Sequence, residues 1–132
     1  MKNITNSRPT PAIIVSDIDQ ERLSGLALAV MDRAPDVASV LLAEMDRATV
    51  LDASAVPANV VRMGSTVEFR SDNGRERRVK LVFPADADIA AGRISVLTPV
   101  GAALIGLSED QSIAWKTRDG REQRLTVLKV AG

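Results

Sequence analysis

The sequence predicts an α+β protein in which a short N-terminal antiparallel helical hairpin, a two-helix coiled coil, precedes an antiparallel sheet carrying one short helix. Three observations lead there. Apolar residues recur at helical spacing in two stretches separated by Asp32 to Pro35. The period changes to alternation beyond residue 56, and Thr98-Pro99 then opens one further short helix among the strands.

Residues 1–11 mix Asn, Thr, Ser and Arg with two prolines and show no periodicity, so a mobile tail is expected there. The hairpin arm follows over residues 12–55. Ser16 followed by Asp19 offers a capping-box-like helix start, with the serine oxygen accepting an otherwise orphaned backbone N–H, and Asp17 and Glu21 complement the helix N-terminus. Leu23, Leu26, Ala27 and Val30 then form one stripe, interrupted by Gly25 at a cost of about 1 kcal/mol relative to alanine. Pro35 suits the first turn of a second helix, where its missing N–H would have no partner anyway. Ala38, Leu41, Leu42 and Met45 repeat the stripe. Two such helices satisfy each other as an antiparallel pair, giving an arm of roughly 20 to 25 Å that projects from the body with Asp32 to Asp36 at its tip.

Residues 56–132 form the expected body. Val67 and Phe69 alternate with polar residues, Asp72-Asn73-Gly74 marks a hairpin turn, and Val79, Leu81 and Phe83 alternate on the return strand. After a polar, acidic loop over Pro84 to Gly92, a third strand over Arg93 to Leu97 runs into Thr98-Pro99. There threonine serves as N-cap and proline as first residue of a helix that Gly106 stops. Two last strands, around Ser112 to Thr117 and Arg121 to Val130, are joined by an Arg118-Asp119-Gly120 turn.

The chain has 132 residues, 45% apolar and 26% charged, the balance of a globular domain. It contains no cysteine and no histidine, which excludes disulfides, thiolate nucleophiles, cysteine zinc sites and Ser-His-Asp or Cys-His catalysis. A non-enzymatic protein without a cofactor is therefore expected. Neither an export signal nor a bilayer-length apolar run is present, which points to the cytoplasm and away from membranes. Basic and acidic residues balance at 17 each, and the aromatics are Phe69, Phe83 and Trp115 alone, so no sequence-specific nucleic-acid binding is expected. Charge is uneven along the chain: residues 1–55 carry 5 basic and 8 acidic side chains, residues 56–132 carry 12 and 9.

Candidate sites are few. Asp32 and Asp36 flank the arm tip, where carboxylates either contribute oxygens to a divalent metal shared with a partner or serve as ordinary solvated surface. Arg75, Arg77, Arg78 and Lys80 form a basic cluster, which reads either as a solvated strand kept from aggregation by charge or as a docking patch for an acidic partner. Gly101 and Gly106 superficially resemble a phosphate-binding loop, but Leu107 stands where that motif requires lysine; small residues that let a helix approach the sheet explain them better.

Two blocks carry a family resemblance. Val60-Val61-Arg62-Met63-Gly64-Ser65-Thr66-Val67 and Arg93-Ile94-Ser95-Val96-Leu97-Thr98-Pro99-Val100-Gly101-Ala102-Ala103-Leu104-Ile105-Gly106-Leu107 resemble the C-terminal domain of the Gre transcript-cleavage factors. They resemble more closely the Rnk family, the regulators of nucleoside diphosphate kinase. In the hairpin, Asp17, Asp19 and Leu23, then Leu42, Glu44, Arg47 and Ala48, follow the Rnk pattern, so the likeness runs over about residues 12–130. It implies an FKBP-like body behind a short coiled-coil arm, in a protein that binds bacterial RNA polymerase with its arm directed into the secondary channel; competition there with Gre-type factors is the leading expectation, with a monomer as the working unit. Ser95, Thr98 and Pro99 match the Gre body loop that contacts the polymerase rim, although Leu97 stands where Gre factors often have an acidic residue. Asp32 and Asp36 are the nearest equivalents, by position, of the Gre tip carboxylates that help hold a polymerase magnesium. The isolated protein is expected to bind no metal itself. Gre arms are longer, so steric occupation of the channel is the leading expectation. A metal-dependent transcript-cleavage cofactor and an adaptor acting on nucleoside diphosphate kinase are the alternatives. Prolyl isomerases of the FKBP fold use an aromatic-lined cleft, which three aromatics do not readily supply.

Overall fold

A computed structural model describes residues 10–132, so the expected mobile tail falls almost wholly outside the described residues. Within them, Pro11 accepts a hydrogen bond from the Arg47 guanidinium through its carbonyl, at 2.6 Å. Strand β1 (Ile14–Ser16) passes without a break into helix α1 (Asp17–Val30). Ser16 serves both elements: its backbone is extended, and its Oγ accepts the Asp19 N–H at 3.0 Å. The chain reverses over Met31 to Ala34, where the N–H groups of Arg33 and Ala34 both donate to the Val30 carbonyl. Helix α2 (Pro35–Arg47) begins with proline in its first turn, as the sequence predicts.

Leu23, Ala27 and Val30 on α1 face Ala38, Leu41 and Met45 on α2; all six are buried, and Leu26 and Leu42 are half-buried beside them. Those are the positions the 3.6-residue period selects. Ile18 and Leu28 lie outside the stripe and are exposed, which makes α1 the less amphipathic of the two helices.

From α2 the chain enters β2 (Thr49–Leu51), which pairs in parallel with β1, Ile14 opposite Thr49 and Ser16 opposite Leu51. This clasp at the hairpin root was not expected from the sequence. Runs of three residues are too short to display a period of two, and the partners meet only because the hairpin returns. The clasp is fixed to the body, since the Ile14 N–H donates to the Gly106 carbonyl at 3.1 Å.

The body is built on β3 (Thr66–Ser71), β4 (Glu76–Val82), β5 (Arg93–Ser95), β6 (Ser112–Lys116) and β7 (Glu122–Ala131), in the order β5-β4-β3-β7-β6. Helix α3 (Pro99–Leu104) lies between β5 and β6 in sequence. The α+β class is as expected, with one difference in the sheet. It is antiparallel except at its edge, where β5 runs parallel to β4, Lys80 opposite Arg93. Alternation in a sequence marks a strand but carries no information on its direction relative to a neighbour. The loop over Pro84 to Gly92 makes the return through two 3₁₀ turns and is held by an Arg93–Asp88 ion pair of 3.5 Å. A register shift between β3 and β7 at Glu68/Phe69 adds twist to the sheet.

The hairpin and the sheet share one interior. Leu23, Leu41 and Met45 belong to the same contiguous apolar cluster as Val67, Phe69, Leu81 and Leu104, with Leu26 and Phe83 packed against it. The expectation of a projecting arm is corrected: its whole apolar stripe, Leu23, Ala27 and Val30 with Ala38, Leu41 and Met45, is continuous with the body's core, where Leu104, Ile105 and Leu107 present apolar surface. Asp19 in the first turn of α1 accepts the Met63 N–H at 3.3 Å, and the Arg22 guanidinium sits 4.3 Å from the centre of the Phe83 ring. No helix among the described residues is long and apolar enough to cross a membrane.

Candidate functional site

At the far end of the hairpin, Asp32 lies in the turn and Asp36 in the first turn of α2, both exposed. The second position is electrostatically favourable in itself, because a carboxylate at a helix N-terminus meets the positive end of the macrodipole. Among the described residues no three acidic side chains gather as a metal site would require.

The expected rim residues are placed by a local network. The Ser95 carbonyl accepts both the Thr98 N–H, at 3.1 Å, and the Thr98 hydroxyl, at 2.7 Å, while Thr98 Oγ1 accepts the Gly101 N–H at 3.1 Å. Ser95 itself is buried and its Oγ accepts the Leu97 N–H, so its role is to shape the turn. Thr98 and Pro99 remain half-exposed. Gly101 makes this turn fit: a Cβ there would lie 2.2 Å from the Ser95 carbonyl oxygen. The glycine pair that resembled a phosphate loop thus permits close packing of α3.

Beside Thr98 and Pro99 opens a cavity of about 560 Å³. Its apolar walls come from Ile89, Ile94, Val100 and Trp115, and its edge from Arg77, Arg118, Asp119 and Arg121. It holds one aromatic side chain; Phe69 is buried in the core and Phe83 borders a different depression. The Asp119 carboxyl is held below its ordinary value, chiefly by the Thr117 hydroxyl, then against a desolvation penalty by the N–H and charge of Arg121. Of the residues around the cavity, the sequence singles out Ser95, Thr98 and Pro99, as expected rim contacts, but not Ile89, Trp115, Arg118 or Arg121. From the sequence Arg118 reads only as a turn residue, and Arg121 as the first residue of the last strand. Their common signal was weak: an apolar residue in a polar loop, and arginines at a tight turn.

The basic cluster divides. Arg75, Arg77, Arg78 and Lys80 are all exposed. Arg77 stands 5.9 Å from the Phe69 ring centre and borders the cavity, whereas Lys80 borders a second, polar depression with Asp19, Arg22 and Arg93. The stretch Glu76 to Val79 is paired only with β3, because β5 covers β4 from Lys80 onward. Charge along an open half-strand discourages pairing with another chain.

Two families match complementary stretches: the C-terminal domain of GreA/GreB transcription elongation factors over residues 56–131, and the Rnk N-terminus over residues 11–51. The chain is 40% identical over 125 residues to the regulator of nucleoside diphosphate kinase from Escherichia coli (strain K12), a match covering 94% of this chain and 90% of that one. It is 37% identical over 78 residues to transcription elongation factor GreA of Azorhizobium caulinodans, covering 58% of this chain and 50% of the other. The solved structure of a prokaryotic GreA/GreB transcription elongation factor from Nitrosomonas europaea superposes with a TM-score of 0.73 at 37% identity. That match covers 91% of this chain and 99% of the other.

Proposed function

The chain belongs to the Rnk and GreA/GreB family of transcription factors, and from that membership we propose that it is a non-enzymatic regulator that binds bacterial RNA polymerase in the cytoplasm. It occupies the secondary-channel entrance and keeps Gre-type factors out. The observation that supports this most is the pairing, on one contiguous core, of a short acidic-tipped hairpin with the Thr98-Pro99 turn beside an open cavity. Helices of 14 and 13 residues give a hairpin of about 20 Å. Its root is held by the clasp, the Asp19–Met63 hydrogen bond and the Arg22–Phe83 contact, so the tip keeps a fixed direction relative to the rim turn. In this reading Thr98 and Pro99 dock at the rim, Ser95 holds their turn in shape, and Asp32 and Asp36 enter the opening.

The test is co-purification with core polymerase and competition against a Gre factor. Saturable binding that the Gre factor displaces is expected; absence of binding at micromolar protein overturns the reading. If the hairpin also promoted RNA cleavage, stalled complexes would shorten their transcripts in magnesium, and Asp32→Asn with Asp36→Asn would stop it. A short hairpin argues for exclusion instead. The relative named as a regulator of nucleoside diphosphate kinase supports a second reading, an adaptor for that enzyme. A pull-down offering both partners separates the two.

A further inference from the structure

The polar depression where α1 meets β4 and the loop after it has a volume of about 730 Å³, within the size range of small-molecule sites. Its cations come from three elements: Arg22 from α1, Lys80 from β4 and Arg93 from β5. Lys80 and Arg93 stand directly opposite each other in the strand register, a like-charge pair that repels unless an anion lies between. Arg93 is engaged within the fold, by the Asp88 carboxylate at 3.5 Å and the Asp86 carbonyl at 3.1 Å. Arg22 and Lys80 are exposed and form no ion pair within 4.0 Å among the described residues. Arg22 is nonetheless held in place by the Phe83 ring, 4.3 Å from its guanidinium carbon. Of the carboxylates in the depression, Asp19 accepts the Met63 N–H and Asp88 pairs with Arg93, whereas that of Asp86 has no partner among the described residues.

We propose that this depression binds a small phosphate ester of the nucleotide or sugar phosphate class. Arg22 offers a planar fork and Lys80 a mobile ammonium, the two kinds of donor that phosphate oxygens take. A phosphate beside Lys80 also relieves its repulsion with Arg93. The unpartnered Asp86 carboxylate has the opposite preference: it repels an anion and accepts hydrogen bonds from hydroxyl or amino groups. The depression therefore suits a ligand that is anionic at one end and rich in donors at the other, and bare phosphate would leave most of its volume unfilled. Val82 and Phe83 add apolar lining. A ligand held this way touches α1, β4 and the loop that carries Asp86, and so ties the hairpin root to the body. The inference goes beyond the polymerase reading and does not depend on it, because binding is a property of the protein alone.

Titration calorimetry and thermal unfolding of the full chain test this, with adenosine diphosphate, ribose 5-phosphate and inorganic pyrophosphate as probes in magnesium-free buffer of low ionic strength. Saturable heat with at least one of the two esters, and a Tm that rises with its concentration, are expected, both fading as salt is raised. Tighter binding of adenosine diphosphate assigns the site to nucleotides, and tighter binding of ribose 5-phosphate to sugar phosphates; either upholds the proposal. Lys80→Gln changes an exposed side chain and removes the repulsion with Arg93, so the free protein should melt no lower than wild type while ester binding weakens by about tenfold. Arg75→Gln removes an equal charge outside the depression and should leave binding unchanged. Asp86→Asn should strengthen pyrophosphate binding and narrow the preference for the ester. No saturable binding of either ester, pyrophosphate bound by wild type more tightly than both, or equal weakening by Lys80→Gln and Arg75→Gln overturns the proposal.

Discussion

Gly25 and Gly101 both lie inside helices, and propensity alone would favour alanine at each by about 1 kcal/mol. Their surroundings split them. Gly25 is exposed, and a Cβ there meets nothing within 4 Å, so Gly25→Ala should stabilise the protein by about 0.5–1 kcal/mol. At Gly101 the same Cβ would stand 2.2 Å from a backbone oxygen, which cannot move without unpicking the Ser95–Thr98 network. Gly101→Ala should therefore destabilise by about 2–3 kcal/mol. Urea unfolding of the two variants checks the opposite signs. Gly101→Ala should also lift Thr98 and Pro99 away from the cavity edge, linking a packing requirement to the proposed docking surface.

At the scale of elements, the root of the hairpin depends on few interactions placed close together. Ser16 ends β1 and caps α1 at once, so its loss affects both strand pairing and the first helical turn. Ser16→Ala should cost about 1 kcal/mol, with faster hydrogen exchange at the Asp19 amide than at amides in the middle of α1. The clasp adds a second constraint through Gly106, whose φ is +83° and where a Cβ would approach Ile13 Cβ to 2.9 Å. That glycine ends α3 and also admits β1 against it. The threonine-capped helix α3 and the two-stranded clasp are thus positioned by one backbone turn, which is how the hairpin root is coupled to the body.

For the molecule as a whole, the contiguous core predicts one cooperative unfolding transition. Helical circular dichroism reports chiefly on the hairpin and Trp115 fluorescence on the body, so the two signals should change together with denaturant. Leu41→Ala, in the hairpin but fully buried against the shared interior, should destabilise both by the same amount, about 2–5 kcal/mol. Separate transitions would show instead that residues 12–55 and 56–132 are independent domains. A single transition means that the hairpin and the body unfold as one cooperative unit.

Local structure is legible in the order of the residues. Each cap and stripe depends on residues three or four positions apart, as at Ser16 with Asp19, Thr98 with Gly101, and Leu23 with Ala27 and Val30; each strand of the body's hairpin depends on a period of two. The α+β class, the two helices and the Thr98-Pro99 turn were legible for that reason. Only the tertiary structure decided that β1 pairs with β2, that β5 runs parallel to β4, and that the hairpin shares the body's core. Strand alternation already puts Arg77 and Lys80 on opposite faces; the fold adds that Arg77 joins Arg118 and Arg121 around Ile89 and Trp115. Those relations join residues tens of positions apart. They are set by which apolar surfaces cover one another when the chain collapses, a choice that short-range periodicity does not encode.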